Sequence, residues 1–379
     1  MVWNQSAKNI LIILNKGVNM VEEFVKQYFK EFVPYKAKRW CYEDGILLKA
    51  SLDLYNATGD TYYKDFILNY LDKFIDEEGN ALGYPKSEYS TDDCQAAFVL
   101  PWAYDLTKKE KYKKAIDIFY SQLEEQPRCK CGNFFHKARY PYQVWMDGLY
   151  MAQPFYIIEG LKRGNDKVIE DTLNQFRNVR KYLYDEKRHL YVHAYDEQKI
   201  MQWANKEDGK SENSWSRACG WCMMALVDII EILGKDHEAS KELLSIYKEL
   251  VDGLIPYLDK EYTMLYQVID HPEDEGNYLE TSGSAMMAYS MLKANRLNLV
   301  DDGYKVLGKT MFNNITKKYL REDAPHHYAL GGICQVAGLD NEKRNGSRAY
   351  YYSEKISENE VKGCAPYFMA YSEILREKK

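Results

Sequence analysis

Six segments of this 379-residue chain follow one plan, and that repetition constrains the fold more than any single motif does. Each has a polar or glycine-containing start, runs into a helix carrying small residues, and usually ends in a short polar turn. They are YEDGILLKASLDLYNATGD from Tyr42, DDCQAAFVLPWAYDLTKKEKY from Asp92, WMDGLYMAQPFYIIEGLKRGND from Trp145, SRACGWCMMALVDIIEILGKD from Ser216, SGSAMMAYSMLKANRLNL from Ser282 and GCAPYFMAYSEILREKK from Gly363. Between them lie more highly charged stretches with apolar residues at helical spacing: Tyr62 to Phe74, Lys109 to Leu123, Lys167 to Tyr184, Glu238 to Leu258 and Asp301 to Ile315. Val18 to Phe32 is a sixth.

A helix apolar on most faces belongs inside, and a helix with one apolar stripe belongs outside. Six of each in alternation predict an all-α (α/α)6 barrel, a single catalytic domain over residues 1–379. Open stacking of helix pairs is the other all-α arrangement, but a count of six lets the N-terminal helix partner the last inner one and close the ring. Small residues such as Gly45, Gly148, Gly220 and Gly283 would let crowded inner helices approach. The long connections, Cys129 to Tyr142, His189 to Asn213 and Thr263 to Leu279, should gather at one rim and carry the site. Short turns such as Thr58-Gly59-Asp60 mark the other.

Composition narrows the function. Lys and Arg number 51 against 57 Asp and Glu, a net charge of −6 with the signs interspersed, which is not the basic footprint of a nucleic-acid binder. No membrane-spanning run is present in the sequence, and the apolar stretch near the N-terminus is too short for an export signal, so a cytoplasmic location is expected. The eight cysteines are irregularly spaced and read as free thiols, with Cys219 and Cys222 as core residues in a helix. Thirty-four tyrosines and seven tryptophans are an unusual load. Such side chains suit a place where an apolar wall meets a wet, polar ligand, as a sugar ring is.

Walker loops, dinucleotide fingerprints, zinc-protease motifs and nucleophile elbows are all missing from the sequence, so no cofactor or metal is expected and acid/base chemistry remains. The best acids stand at the starts of inner helices, where aromatic neighbours should raise a carboxyl pKa. Asp147 fits best, in a run from His136 through Tyr140, Tyr142 and Trp145, although an aspartate there is in the ordinary case a helix cap. Capping lowers a pKa and burial raises it, so the two compete. Asp92 and Asp93 hold the corresponding place one hairpin earlier. One of them is expected to face Asp147 and share a proton with it. Trp215, Arg217 and Trp221 form a second cluster, a stacking face beside a donor fork for a carboxylate, with His193 near by.

The stretches YPYQVWMDGLYMAQPFY, SWSRACGWCMMALVDII, YQVIDHPEDEGNYLETSGSAMMAY and GGICQVAGLDNEKRNGSRAYYYSEKISENEVKGCAPYFMA resemble the unsaturated rhamnogalacturonyl hydrolases of glycoside hydrolase family 105, in the same order and over nearly the whole chain. The resemblance implies the same barrel. It also implies removal of a 4,5-unsaturated uronic acid, galacturonyl linked to rhamnose, from the non-reducing end of oligosaccharides made by a polysaccharide lyase in pectin degradation. It puts the general acid/base at Asp147 and the second aspartate at Asp92, with Asp93 the alternative. Tyr42, His136, His193, Trp215, Arg217 and Trp221 are carried over as substrate contacts.

An unsaturated uronide contains an enol ether. Protonation of carbon 4 places positive charge at carbon 5 and the ring oxygen, water adds at carbon 5, and the hemiketal opens to release the leaving sugar. An unsaturated glucuronyl substrate, an epimerase or a hydrolase of saturated sugars, and a carbohydrate-binding barrel whose acids only cap helices remain the other readings. Oligomeric state is not legible.

Overall fold

The computed structural model describes residues 20–377; the N-terminal apolar stretch of the sequence lies outside them. Six inner helices form a closed ring. They are α2 (Tyr42–Thr58), a broken helix made of α4 (Thr91–Gln95) and α5 (Leu100–Thr107), α7 (Met146–Lys162), α9 (Ser216–Leu233), α11 (Thr281–Arg296) and α14 (Val361–Arg376). Each packs on the next, and α14 returns to pack on α2. Outside stand α1 (residues 20–30), α3 (Thr61–Phe74), α6 (Glu110–Glu124), α8 (Lys167–Leu183), α10 (Glu238–Leu254) and α12 (Asp302–Tyr319). Helix α1 takes the sixth outer place by setting Phe24 and Tyr28 on Phe368 of α14, with ring centres 5.5 and 5.2 Å away. The fold is the expected (α/α)6 barrel.

Burial separates the two rings as their sequences require. In α9 every residue from Ser216 to Ile230 is buried, whereas α10 buries only Ala239, Ser240, Leu243, Ile246, Tyr247, Leu250, Val251 and Leu254, a stripe at helical spacing. The inner helices are close enough to need glycine. A Cβ on Gly45 would stand 2.5 Å from Ala96 Cα, and one on Gly283 would stand 2.7 Å from the Ser216 backbone.

Three elements differ from their sequence expectation, and proline accounts for two of them. The second inner segment is not one helix: a 3₁₀ turn over Ala96–Val99 precedes Pro101, which has no N–H for the Ala97 carbonyl. Leu100 N–H bonds that carbonyl instead, in the tighter 3₁₀ pattern. Helix α10 stops at Leu254, short of Leu258, and gives way to a 3₁₀ turn over Ile255–Tyr257 that contains Pro256. In the opposite sense α12 runs on past Ile315 to Tyr319.

Connections from inner to outer helices are short. Gly59, at φ 77°, ends α2 and Asp60 caps α3. Connections from outer to inner helices are long, and they crowd the rim where the inner helices begin. Strands Gln143–Trp145 and Ala194–Asp196 pair there antiparallel, tying the connection before α7 to the one before α9. The connection from α12 to α14, absent from the sequence-based list of rim segments, also reaches this rim. It contains a short helix, α13 (Arg348–Ser353).

Candidate active site

At this rim a cavity of about 190 Å³ opens between the starts of the inner helices. Seven of the eight residues singled out in the sequence line it: Tyr42, Asp92, His136, Asp147, Trp215, Arg217 and Trp221. His193 does not. It is fully buried behind Asp147, between the Trp145 and Trp215 rings, and its Nδ1 meets the Tyr351 hydroxyl at 2.7 Å.

Asp147 lies in the first turn of α7, positioned by Trp145, whose side chain makes no cap bond. Its Oδ2 is 3.2 Å from His193 Nε2, yet the two are poorly aligned and each lacks a good hydrogen-bond partner. Burial is the largest single influence and pushes the Asp147 carboxyl up, but His193 and the charge of His136 together outweigh it, so the group sits below the ordinary aspartate range. The expected raised pKa is therefore corrected. Aromatic neighbours were visible in the sequence, and the His193 imidazole that does most to reverse their effect comes from another connection.

The aspartates of α4 divide their roles. Asp92 points into the cavity, in contact with Lys137 Nζ and 3.3 Å from His136 Nε2. Burial raises its pKa, but Lys137, and after it His136, lower it by more in total, so Asp92 stays ionised. Asp93 turns away toward Arg39, 3.4 Å distant, and burial together with Asp92 lifts it to about 6. Of these acids the one with a raised pKa is thus outside the cavity lining. The expected shared proton between Asp147 and its partner is replaced by two carboxylates, each held down by its own base. His136 is itself pushed to about 4 by burial, bonded to Thr91 Oγ1 at 3.0 Å and stacked on Trp145 at 5.2 Å.

Arg217 is almost wholly buried. Its Nη2 donates to the Cys334 carbonyl at 2.6 Å, its plane rests 4.9 Å from the Trp215 ring, and Nη1 has no partner. Trp221 stacks on Tyr150 at 5.2 Å and meets Tyr42 edge-on at 6.5 Å. Trp215 is fixed by an Nε1–H bond to Gln267 Oε1 at 3.0 Å.

Sequence reading overlooked several lining residues. Glu43, next to Tyr42 on α2, is buried and its Oε2 has no hydrogen-bond partner. Lys137 directly follows His136. Lys362 opens α14 beside the cavity, paired with Glu360, and its pKa is lowered by burial. Lys36, 3.6 Å from Glu43, and Arg139 and Arg344 complete the charged lining. Lys137 and Glu43 had a signal in their neighbours. Lys362 and Arg344 had none, because only ring closure brings the end of the chain here.

Free guanidinium and carboxylate groups beside indole faces suit a hydroxyl-rich, charged ring. Fold and site together define a carbohydrate-active (α/α)6 barrel. Comparison with known proteins agrees. Residues 17–378 match the family model described as Glycosyl Hydrolase Family 88. A solved glycoside hydrolase of family 105 from C. acetobutylicum ATCC 824 is 37% identical, with a TM-score of 0.89 over 96% of this chain and 99% of that one. Protein Atu3128 of Agrobacterium fabrum is 38% identical over 232 residues, 59% of this chain and 98% of its own length. The unsaturated rhamnogalacturonyl hydrolase YesR of Bacillus subtilis is 23% identical over 290 residues, 74% of this chain and 77% of its own length. The chain belongs to glycoside hydrolase family 105, within the family 88 and 105 group, and is a glycoside hydrolase.

Proposed function

We propose that this glycoside hydrolase removes a 4,5-unsaturated uronic acid, galacturonyl linked to rhamnose, from the non-reducing end of lyase-made oligosaccharides by hydrating the enol ether. The observation that carries the reading is the Asp147–His193 pair: a carboxyl in the cavity wall whose buried Oδ2 lies 3.2 Å from an imidazole and has no well-aligned partner. The name of YesR supports the choice of uronide and neighbour.

Asp147 must be protonated when it meets carbon 4. The arriving uronate supplies the reason, since its negative charge and the loss of cavity water both raise the carboxyl pKa, and His193 is placed to give up the proton. Arg217 Nη1 takes the uronate carboxylate. Asp147 passes its proton to carbon 4, positive charge develops at carbon 5, and water adds there while Asp147, now a carboxylate, accepts the water proton. Asp92, kept ionised by Lys137, orients that water or a ring hydroxyl. Trp221 and Tyr42 supply the apolar wall.

The test follows the loss of the double-bond absorbance on unsaturated disaccharides from rhamnogalacturonan and from chondroitin. Wild type should consume the first faster, and Asp147→Asn should lose the activity. Near-wild-type turnover by that variant would overturn the assignment of the acid, and faster consumption of the chondroitin product would overturn the uronide.

A further inference from the structure

The chain has thirteen arginines, all within the described residues. Ten of them have a carboxylate within 4.0 Å. The three with no such partner among the described residues are Arg139, Arg217 and Arg344, and all three line this cavity. Unpaired guanidinium groups concentrated at a single place, on a surface that otherwise pairs them, point to anions supplied by a ligand.

Depth separates the three. Arg217 is at the bottom, where the proposed uronate carboxylate would sit, and the other two stand farther out, Arg139 exposed and Arg344 partly exposed. Both are held in place. Arg139 lies 4.9 Å from the Tyr140 ring, which is stacked on Trp145 at 5.1 Å, so the guanidinium ends an aromatic wall leading inward. Arg344 rests on Gly338, where any Cβ would stand 2.8 Å from its Nη1. Its turn is fixed by Asp340 Oδ1, which accepts the N–H groups of Glu342, Lys343 and Arg344 at 2.8, 2.8 and 2.9 Å and so is already occupied.

We infer that Arg139 and Arg344 form a second anion subsite at the cavity mouth, which takes an acidic group of the oligosaccharide beyond the unit being removed. That group is a carboxylate of a further uronic acid or a sulfate ester on the leaving sugar. The inference rests on the proposed function and extends it from a disaccharide to an acidic oligosaccharide.

Steady-state kinetics on three substrates test it: the neutral-ended unsaturated rhamnogalacturonan disaccharide, the tetrasaccharide carrying a second uronic acid, and a sulfated unsaturated disaccharide. Wild type should show a KM roughly tenfold lower for at least one acid-extended substrate, an advantage that shrinks in high salt. Which one gains identifies the anion. The double variant R139Q/R344Q should bring the ratio of the two kcat/KM values close to one. Equal KM values in wild type, or a ratio that persists in the double variant, would overturn the subsite. If no unsaturated substrate is consumed, the proposed function fails instead. Calorimetric titration of the wild type with saturated acidic and neutral oligosaccharides then reads the subsite alone, where tighter binding of the acidic one supports it and equal affinity overturns it.

Discussion

The two ends of the barrel treat buried charge differently, with dense ion pairing at one end and several unpartnered atoms at the other. Toward the ends of the inner helices, away from the cavity, Lys293 contacts Asp228 at 2.7 Å and Glu231 at 2.6 Å, and Tyr289 donates to Asp228 at 2.7 Å. Arg296 joins Glu231 at 2.9 Å and Glu373 at 2.5 Å, and Lys49 pairs with Asp53. Of these paired groups only Asp228 keeps a buried atom, Oδ2, that lacks a hydrogen bond. Burial works against charge here, yet the attraction prevails, raising the Lys293 pKa and lowering that of Glu231. At the cavity end, Asp147, His193, Glu43 and Arg217 each keep a buried polar atom without a partner. A fold can tolerate such atoms when the other end is closely paired. The free atoms are then available to a ligand, at a cost in stability that the paired end offsets.

The sharpest way to break this comparison is Asp147→Asn. Activity on the unsaturated disaccharide should fall about 10²- to 10⁴-fold or more, while the thermal midpoint at neutral pH falls only slightly, because the lowered Asp147 pKa marks a favourable but poorly aligned contact with His193 that the amide gives up. A large drop in the midpoint would show that the pair is structural.

Lys293→Met probes the other end. Removing one partner of a buried pair leaves charge uncompensated, with an expected cost of about 3–5 kcal/mol by urea denaturation. Activity per folded molecule should be retained. A cost under about 1 kcal/mol would mean that the network is not a stabilising floor.

Asp93 tests whether strain at the cavity end extends beyond the lining. Its folded pKa is raised to about 6, so the stability it contributes is present below the ordinary aspartate value and is lost as pH rises through 6. Asp93→Asn should therefore stabilise the protein by up to about 3 kcal/mol at pH 7.5 and give no gain near pH 3.5. Equal effects at both pH values would contradict the assignment. The mildest effect is a proton count. His136, held down to about 4, should show ring-proton NMR shifts that stay constant from pH 8 to 5 and move only near 4. Its depressed pKa makes the fold lose stability as pH falls from 6.5 through 4.

Much of the architecture was legible because helix periodicity is local. The fully buried run from Ser216 to Ile230 and the stripe of α10 follow from apolar spacing alone, and so did the closure of six pairs. The site was legible in its residue types, and Asp147, Asp92, Arg217 and Trp221 do meet in one cavity. The break at Pro101 and the early stop near Pro256 were not anticipated, although both prolines were in view. Arg344 and Lys362 carried no local signal.

Read as a string, the chain already specified a ring of helix pairs and a wall of aromatics with acids at the helix starts, since these depend on patterns within a few turns. Which acid faces the cavity, and which of them holds its proton, followed from folding. Protonation answers to groups a few ångströms away in space, and His193 for Asp147, Lys137 for Asp92 and burial for Asp93 acquire their effect when separate connections converge on one rim.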